Sequence, residues 1–305
     1  MKSHRPVMLS EVLSALDVRE GQTVIDATFG RGGHARALAV QVGRSGRVLA
    51  LDRDPAAIQA AADLGVPQLE VVHARFSALA EVADTRRVSG EVAGIVMDLG
   101  VSSPQLDEAQ RGFSFINDGP LDMRMDPTVG ETAAEWLARA PVEDLAEVFR
   151  RYGEERFARR IARAIVVARE SGPLERTLAL AQIIVRAHPR WERDRHPATR
   201  VFQAIRIHVN DELGELEQAL THLETVLTVG GRAAVISFHS LEDRIVKNAF
   251  RGKVEDPALR KLPLRAAPRQ AALRPLGRLI RPSAEEVGDN PRARSARLRV
   301  AERVA

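Results

Sequence analysis

Apolar residues in the first hundred positions fall into short, nearly unbroken blocks, separated by stretches in which they recur every three or four residues. The blocks at 22–26, 46–52, 69–74 and 92–98 predict strands, the last reading Val92-Ala-Gly-Ile-Val-Met-Asp98. The stretches at 34–43, 54–63 and 76–86 predict helices. Strands that alternate with helices pair in parallel and are buried on both faces, so this half of the chain reads as an α/β sheet.

The alternation stops after Asp98. Residues 132 to about 190 predict consecutive helices, beginning at a capping box of Thr132 with Glu135. Phe157, Ile161, Ala164, Ile165 and Ala168 form one apolar face, with Arg156, Arg159, Arg160 and Arg163 mostly opposite. Gly172-Pro173 ends that helix, and Thr177 is expected to cap the next. A long helix is then expected from about Thr199 to Leu227. Its stripe of Val209, Leu213, Leu216, Leu220, Leu223 and Leu227 should pack on the sheet, the repeat being too short for a coiled coil. Gly230-Gly231 precedes a buried strand at 232–238, followed by a helix at about 241–250 and strands at 277–280 and 296–300. The pattern predicts a discontinuous sheet domain, 1–105 plus 198–305, interrupted by an all-helical insert at 106–197.

Composition narrows the chemistry. The 305 residues include no cysteine, which excludes disulfides, thiolate metal sites and a cysteine nucleophile. No His/Asp set has zinc spacing, so no metal is expected. There is no run of about 18 apolar residues and no apolar core behind Met1-Lys-Ser-His-Arg-Pro6, so a cytoplasmic enzyme without a membrane segment is expected. Net charge is only +4, yet Arg251 to Val300 holds thirteen Lys or Arg against five Asp or Glu. A basic stretch of this kind suits contact with nucleic-acid phosphates.

The candidate ligand site lies at Asp26-Ala-Thr-Phe-Gly-Arg-Gly-Gly-His34, between the first strand and the first helix. Gly30, Gly32 and Gly33 let the backbone turn sharply, and the helix start offers unpaired N–H groups. The next strand ends in Asp52, roughly 20 residues beyond the glycines, where a carboxylate commonly holds a ribose diol. Gly30-x-Gly32-x-x-Ala35 formally fits the dinucleotide pattern as well, so a NAD-dependent oxidoreductase stays open on that pattern alone. Asp26 argues for a different nucleotide. Facing a pyrophosphate, it would cost a few kcal/mol at ~4 Å and intermediate dielectric. S-adenosylmethionine brings an ammonium, a sulfonium, a ribose and no phosphate.

Further motifs follow in order. They are Asp98-Leu-Gly-Val-Ser-Ser-Pro-Gln-Leu-Asp107, Arg111-Gly-Phe-Ser-Phe115, Gly119-Pro-Leu-Asp-Met-Arg-Met-Asp126 and Tyr152-Gly-Glu-Glu-Arg156. Thr199-Arg-Val-Phe-Gln-Ala-Ile-Arg-Ile207, Ser237-Phe-His-Ser-Leu-Glu-Asp-Arg244 and Asn290-Pro-Arg-Ala-Arg-Ser-Ala-Arg-Leu-Arg299 complete the set. With His4-Arg-Pro-Val7 and the glycine loop, they resemble the bacterial 16S ribosomal RNA cytosine-N4 methyltransferase family, MraW or RsmH, over essentially the whole chain. The segment 251–275 carries no motif of that set.

The resemblance implies a class I S-adenosylmethionine-dependent methyltransferase fold, a Rossmann-like and mostly parallel seven-stranded sheet, with a helical substrate-recognition insert. It implies methylation of the exocyclic amine of one cytidine in the decoding region of 16S rRNA in the small ribosomal subunit, with S-adenosylhomocysteine as product. Family cofactor residues carry over onto Gly32, Gly33 and His34 in the loop, Asp52 at the ribose, Phe76 at the adenine, and Asp98 and Gln105 at the methionine end. Phe76 also reads as a core residue and Asp98 as a helix cap. Val101-Ser-Ser-Pro-Gln105 is loosely similar to the loop with which amino-methyltransferases grip their target amine. Ser102, Ser103 and the carbonyl before Pro104 are therefore the candidate acceptors, against an ordinary Ser-Pro turn. Asp122, Arg124, His239 and Asp243 are secondary candidates for the substrate pocket, a lone His such as His239 being more often structural. The rivals are the NAD enzyme and a non-catalytic RNA-binding or ribosome-assembly factor on the same fold. Homodimerisation is left open.

Overall fold

The computed structural model describes residues 6–191, 196–252 and 272–305. His4 and Arg5 of the first motif lie outside the described residues, as do 253–271 of the segment without a motif. The chain divides into two compact units, Met1–Gly100 with Leu213–Ala305, and Val101–Glu212.

The first unit is built on seven strands: β1 (Thr23–Asp26), β2 (Arg47–Asp52), β3 (Leu69–His73), β4 (Val92–Asp98), β5 (Leu227–Ser237), β6 (Leu273–Pro275) and β7 (Arg297–Arg303). Their order is β3-β2-β1-β4-β5-β7-β6, parallel throughout except that β7 runs antiparallel to both β5 and β6. This is the class I methyltransferase arrangement. Alternate residues serve opposite faces, as strand geometry requires. Ile25, Leu49, Leu51, Ile95, Met97 and Val235 share one core with Leu216, Leu220 and Leu223. Val24, Val48, Ala50, Val96 and Ile236 share another with Val12, Leu16 and Leu38. Both faces are covered, which is why the strands read as continuous apolar blocks.

The second unit contains the helices Ser103–Asp107, Ala133–Arg139, Val142–Gly153, Ala158–Glu170, Thr177–Ala187 and Ala198–Asn210 around its own core. Ile161 and Ile165 are buried while Arg156, Arg159, Arg160 and Arg163 are exposed, as their spacing requires. Thr132 caps its helix by accepting from Glu135 N at 3.1 Å, and Glu135 Oε2 accepts in return from Thr132 N.

Four expectations need correction. The stretch from 199 to 227 is three helices, Ala198–Asn210, Glu212–Thr221 and Leu223–Val226, because Asp211 turns left-handed at φ 49°. Its first part does not pack on the sheet: Val201, Phe202 and Ile205 are buried in the helical unit, so the unit boundaries fall after Gly100 and Glu212 rather than at 105 and 198. One stripe thus feeds two cores. Thr177 is the first helical residue and not the cap; Asp118 Oδ1 accepts from Leu178 N at 3.1 Å instead. Finally, the strand expected at 277–280 is β6 at Leu273–Pro275, with Ile280 making a single bridge to Leu298.

The Gly119-Pro-Leu-Asp motif is explained by packing within the helical unit. A Cβ on Gly119 would stand 1.7 Å from the Ala109 carbonyl oxygen, and Gly119 also exchanges hydrogen bonds with Thr177, donating to Oγ1 and accepting from N at 3.0 Å each. Backbone cannot yield as a side-chain tip does. Gly119→Ala should therefore lose about 3 kcal/mol or more of stability, at the upper end of overpacking costs. Chemical denaturation followed by circular dichroism reads this directly; an unchanged midpoint would contradict the packing.

Candidate cofactor site

The sheet order reverses between β1 and β4, and in open α/β sheets the crevice beyond the carboxyl ends at such a point is where ligands bind. Three strands end there in carboxylates: Asp26 on β1, Asp52 on β2 and Asp98 on β4. The β1 loop is held by Ala27 N donating to Val96 O at 2.9 Å and Phe29 N donating to Leu51 O at 2.8 Å. Thr28 adds a side-chain tie, its Oγ1 accepting from Asp98 N at 2.7 Å.

The glycines have separable reasons. Gly30 and Gly32 sit at φ 57° and 74°, where a Cβ is strained. A Cβ on Gly30 would meet nothing nearer than Thr28 O at 4.0 Å, so its surface is open to a ligand. A Cβ on Gly32 would strike Phe29 at 2.8 Å, and one on Gly33 would strike Pro6 at 2.3 Å. Those two glycines admit the protein's own side chains.

Asp52 is fastened by two backbone donors, Gly30 N to Oδ2 at 2.7 Å and Asp54 N to Oδ1 at 2.8 Å. A carboxylate has about four acceptor positions, so these two bonds do not exhaust its capacity for a ribose hydroxyl. Asp26 is fully buried, and burial, reinforced by the charge of Asp52, pushes it up to about 7. Its Oδ1 accepts from Thr28 N at 3.1 Å, while its buried Oδ2 has no hydrogen-bond partner among the described residues. Asp98 is pushed up to about 8, first by burial and then by the charges of Asp26, Glu242 and Glu286. Its Oδ1 is likewise buried without a partner among the described residues.

His34 sharpens the picture. Its Nε2 lies 3.1 Å from the Val7 carbonyl, which can only accept, so Nε2 carries the proton. Burial lowers the ring to about 4, leaving it neutral near pH 7. Nδ1 therefore presents a lone pair towards Asp98 Oδ2 at 3.8 Å. With His34 neutral this is not an ion pair, and once Asp98 is ionised the two atoms are acceptors facing each other across that gap. They form a seat for a donor, and surrounded by carboxylates that donor is best a cation. The orphaned oxygens of Asp26 and Asp98 fit the ammonium and sulfonium charges of S-adenosylmethionine and would repel a pyrophosphate.

Of the other anticipated residues, Phe76 opens the Phe76–Ala78 turn and is partly buried against the sheet core. His239 is the N-cap of the Ser240–Phe250 helix, its Nδ1 accepting from Glu242 N at 3.5 Å. Asp243 accepts from Arg299 Nε at 2.7 Å and lies 3.4 Å from an Arg297 amino group, tying that helix to β7. Glu242 and Glu286 were not singled out in sequence. Glu242 stood within a motif, whereas Glu286, which accepts from Met8 N at 2.6 Å, sits in an ordinary charged stretch.

In the helical unit, Ser102 is the N-cap and Pro104 lies in the first turn of the Ser103–Asp107 helix. Gln105 is buried, its Oε1 accepting from Ser102 N at 2.9 Å in a capping box. Asp122 and Arg124 form a bidentate pair at 2.8 Å for each contact.

The model of the MraW methylase family matches residues 1–304. A curated relative from Nitrosococcus oceani, named ribosomal RNA small subunit methyltransferase H, is 54% identical over 307 residues, covering 99% of this chain and 98% of its own length. A protein of the same name from Chromohalobacter salexigens is 52% identical over 303 residues, covering 99% and 92%.

Proposed function

Since the chain belongs to the MraW methylase family, and is thus an rRNA methyltransferase that uses S-adenosylmethionine, we propose that its target is the exocyclic N4 amine of one cytidine in the decoding region of small-subunit rRNA. The observation that carries the cofactor part of this reading is the facing pair of acceptors, His34 Nδ1 and Asp98 Oδ2, within a ring of carboxylates. Bound there, S-adenosylmethionine would supply an electrophilic methyl group whose sulfur leaves as a neutral thioether.

The residues then divide the work. Asp52 accepts from the ribose hydroxyls, with Gly30 leaving room beside it. Phe76 would lie against the adenine. Asp98 and His34 accept from the ammonium, and the negative potential of Asp26 suits the sulfonium. The amine needs help of a different kind, because its lone pair is delocalised into the ring. It must be held in line with the methyl at a near-attack distance of ~3–3.5 Å. Acceptors for both amine hydrogens favour a localised lone pair and stabilise the positive charge that develops on nitrogen. Ser102, Ser103 and the carbonyl preceding Pro104 take that role, and the amine proton is finally lost to solvent. Gln105 supports them by capping. The helical unit serves substrate recognition.

The deciding experiment is methylation of purified small subunits lacking the modification, followed by nucleoside mass spectrometry. N4-methylcytidine is the expected product; methyl on carbon-5 or on a ribose hydroxyl, or no transfer at all, would overturn the assignment. Asp52→Ala tests the ribose contact separately. Losing a charged acceptor costs roughly 1.5–3 kcal/mol, so affinity for S-adenosylhomocysteine should fall more than about tenfold while the fold persists. Unchanged affinity by calorimetry would remove Asp52 from the site.

A further inference from the structure

The Thr177–Ala187 helix carries apolar residues on two sides. Leu180, Ile184 and Ala187 are buried in the helical core. Leu178, by contrast, is 42% exposed and, with Ala181, Gln182 and Val185, lines an open pocket of about 180 Å³. Steps of three and four place these positions on one helical face. This face is mixed, apolar at Leu178 and Val185 and polar at Gln182 and Arg186, and it stands open.

The opposite wall is aromatic. His196 stacks on Phe115 with centroids 4.6 Å apart and planes 29° from parallel, and Phe202 braces Phe115 edge-on at 4.8 Å. His196 is oriented by its Nδ1 accepting from Ala198 N at 3.2 Å. The Trp191 indole, 62% exposed, stands edge-on to His196 at 5.6 Å. Among the described residues, Arg186 is the charged group that lines the pocket. Phe115 closes the Arg111-Gly-Phe-Ser-Phe115 motif, to which methyl transfer assigns no role.

We propose that this pocket holds one unstacked base of the ribosomal RNA strand, distinct from the base that is methylated. The inference rests on the rRNA-methyltransferase reading above. Sequence-tolerant recognition of single-stranded RNA uses aromatic faces for bases and guanidinium groups for phosphates, and both are present here. Gln182 offers a donor and an acceptor to a base edge. Size decides against a drug-like ligand: such pockets run to roughly 300–1,000 Å³, whereas this one suits a single flat ring system. A protein partner would need a far larger contact than one helix face with an arginine at its edge.

The test uses the full chain and two single-stranded octaribonucleotides of equal charge, one bearing bases and one abasic throughout. Trp136 is buried, so quenching on titration reports Trp191. The base-bearing strand is expected to quench and to bind roughly 5- to 150-fold more tightly, the range of one lost stacking contact. Trp191→Ala and Phe115→Ala should shrink that ratio towards unity in an anisotropy assay with labelled RNA. Trp191→Ala keeps the test valid should the Phe115 variant fail to fold. Equal binding and quenching by the two strands, or an undiminished ratio in a folded Trp191→Ala protein, would overturn the inference. Methyl transfer is read independently, so a pocket indifferent to bases in an active enzyme refutes this inference alone. An inactive chain with base-dependent quenching refutes instead the reading on which it rests.

Discussion

A chain carrying Ser102→Ala and Ser103→Ala together should methylate small subunits on the order of 10²-fold more slowly in a single turnover, the loss typical of removing one transition-state hydrogen-bonding group. The ground for this is chemical: the cytosine amine is a poor nucleophile, and acceptors that strengthen only as charge develops on nitrogen lower the barrier without tightening the ground state. kcat and kcat/KM should therefore fall together. Ser102 has a second task as the N-cap of the Ser103–Asp107 helix. Its loss should also cost about 1 kcal/mol of stability, visible as a lower melting temperature. The two effects separate cleanly. Affinity for S-adenosylhomocysteine should hardly change, because Asp52, Asp98 and His34 are untouched. A single-turnover rate within about threefold of the parent would make the loop a scaffold and leave the amine to backbone carbonyls.

Affinity for S-adenosylmethionine should climb on the order of 10²-fold between pH 6 and pH 8.5, and more steeply than that for S-adenosylhomocysteine. Asp98, at about 8, and Asp26, at about 7, are largely protonated at pH 6 in the ligand-free protein. A cation is held by their ionised forms, and each pH unit below a controlling pKa weakens binding about tenfold. The groups facing them are the carboxylates of Asp52, Glu242 and Glu286, the neutral ring of His34 and the N–H of Thr28, none of which is a competing cation. The sulfonium adds a second positive charge that the product lacks, hence the steeper rise for the donor. Stability follows with a definite sign. Both folded-state values lie above the ordinary unfolded value of about 3.9, so the ligand-free fold loses stability as pH rises from about 4 to about 8. The donor should restore it, raising the melting temperature more at pH 8.5 than at pH 6. Calorimetry across that range checks both statements, and a flat affinity would mean that these carboxylates do not face the cationic groups.

Much of the sheet could be read directly from the chain. Blocks at 22–26, 46–52, 69–74 and 92–98 correspond to β1 to β4 within a residue or so, because a strand buried on both faces has to be apolar throughout. The stripe from Val209 to Leu227 was harder. Its spacing is regular, yet Asp211 breaks the helix and the apolar residues on either side enter different cores, Val209 the helical one and Leu216 onward that of the sheet. Periodicity records that a residue is buried and not where. β6 was displaced for a related reason: three residues at a sheet edge carry too little pattern to locate.

The candidate site shows the same division. By itself the sequence determined the alternation of strands and helices, the glycine turn and the three strand-end carboxylates, since each depends on residue type at a fixed distance along the chain, while the class I fold followed from the family resemblance of its motifs. Only the tertiary structure decided that Gly33 makes room for Pro6, that Asp243 and His239 serve the Ser240–Phe250 helix, and that Asp122 and Arg124 satisfy each other. It alone brought Glu242 and Glu286 into the electrostatic field of Asp98 and set His34 Nδ1 opposite its carboxylate. These are through-space facts. Burial and the charge of distant segments set the protonation of a carboxyl group, and neither is written in its neighbours along the chain.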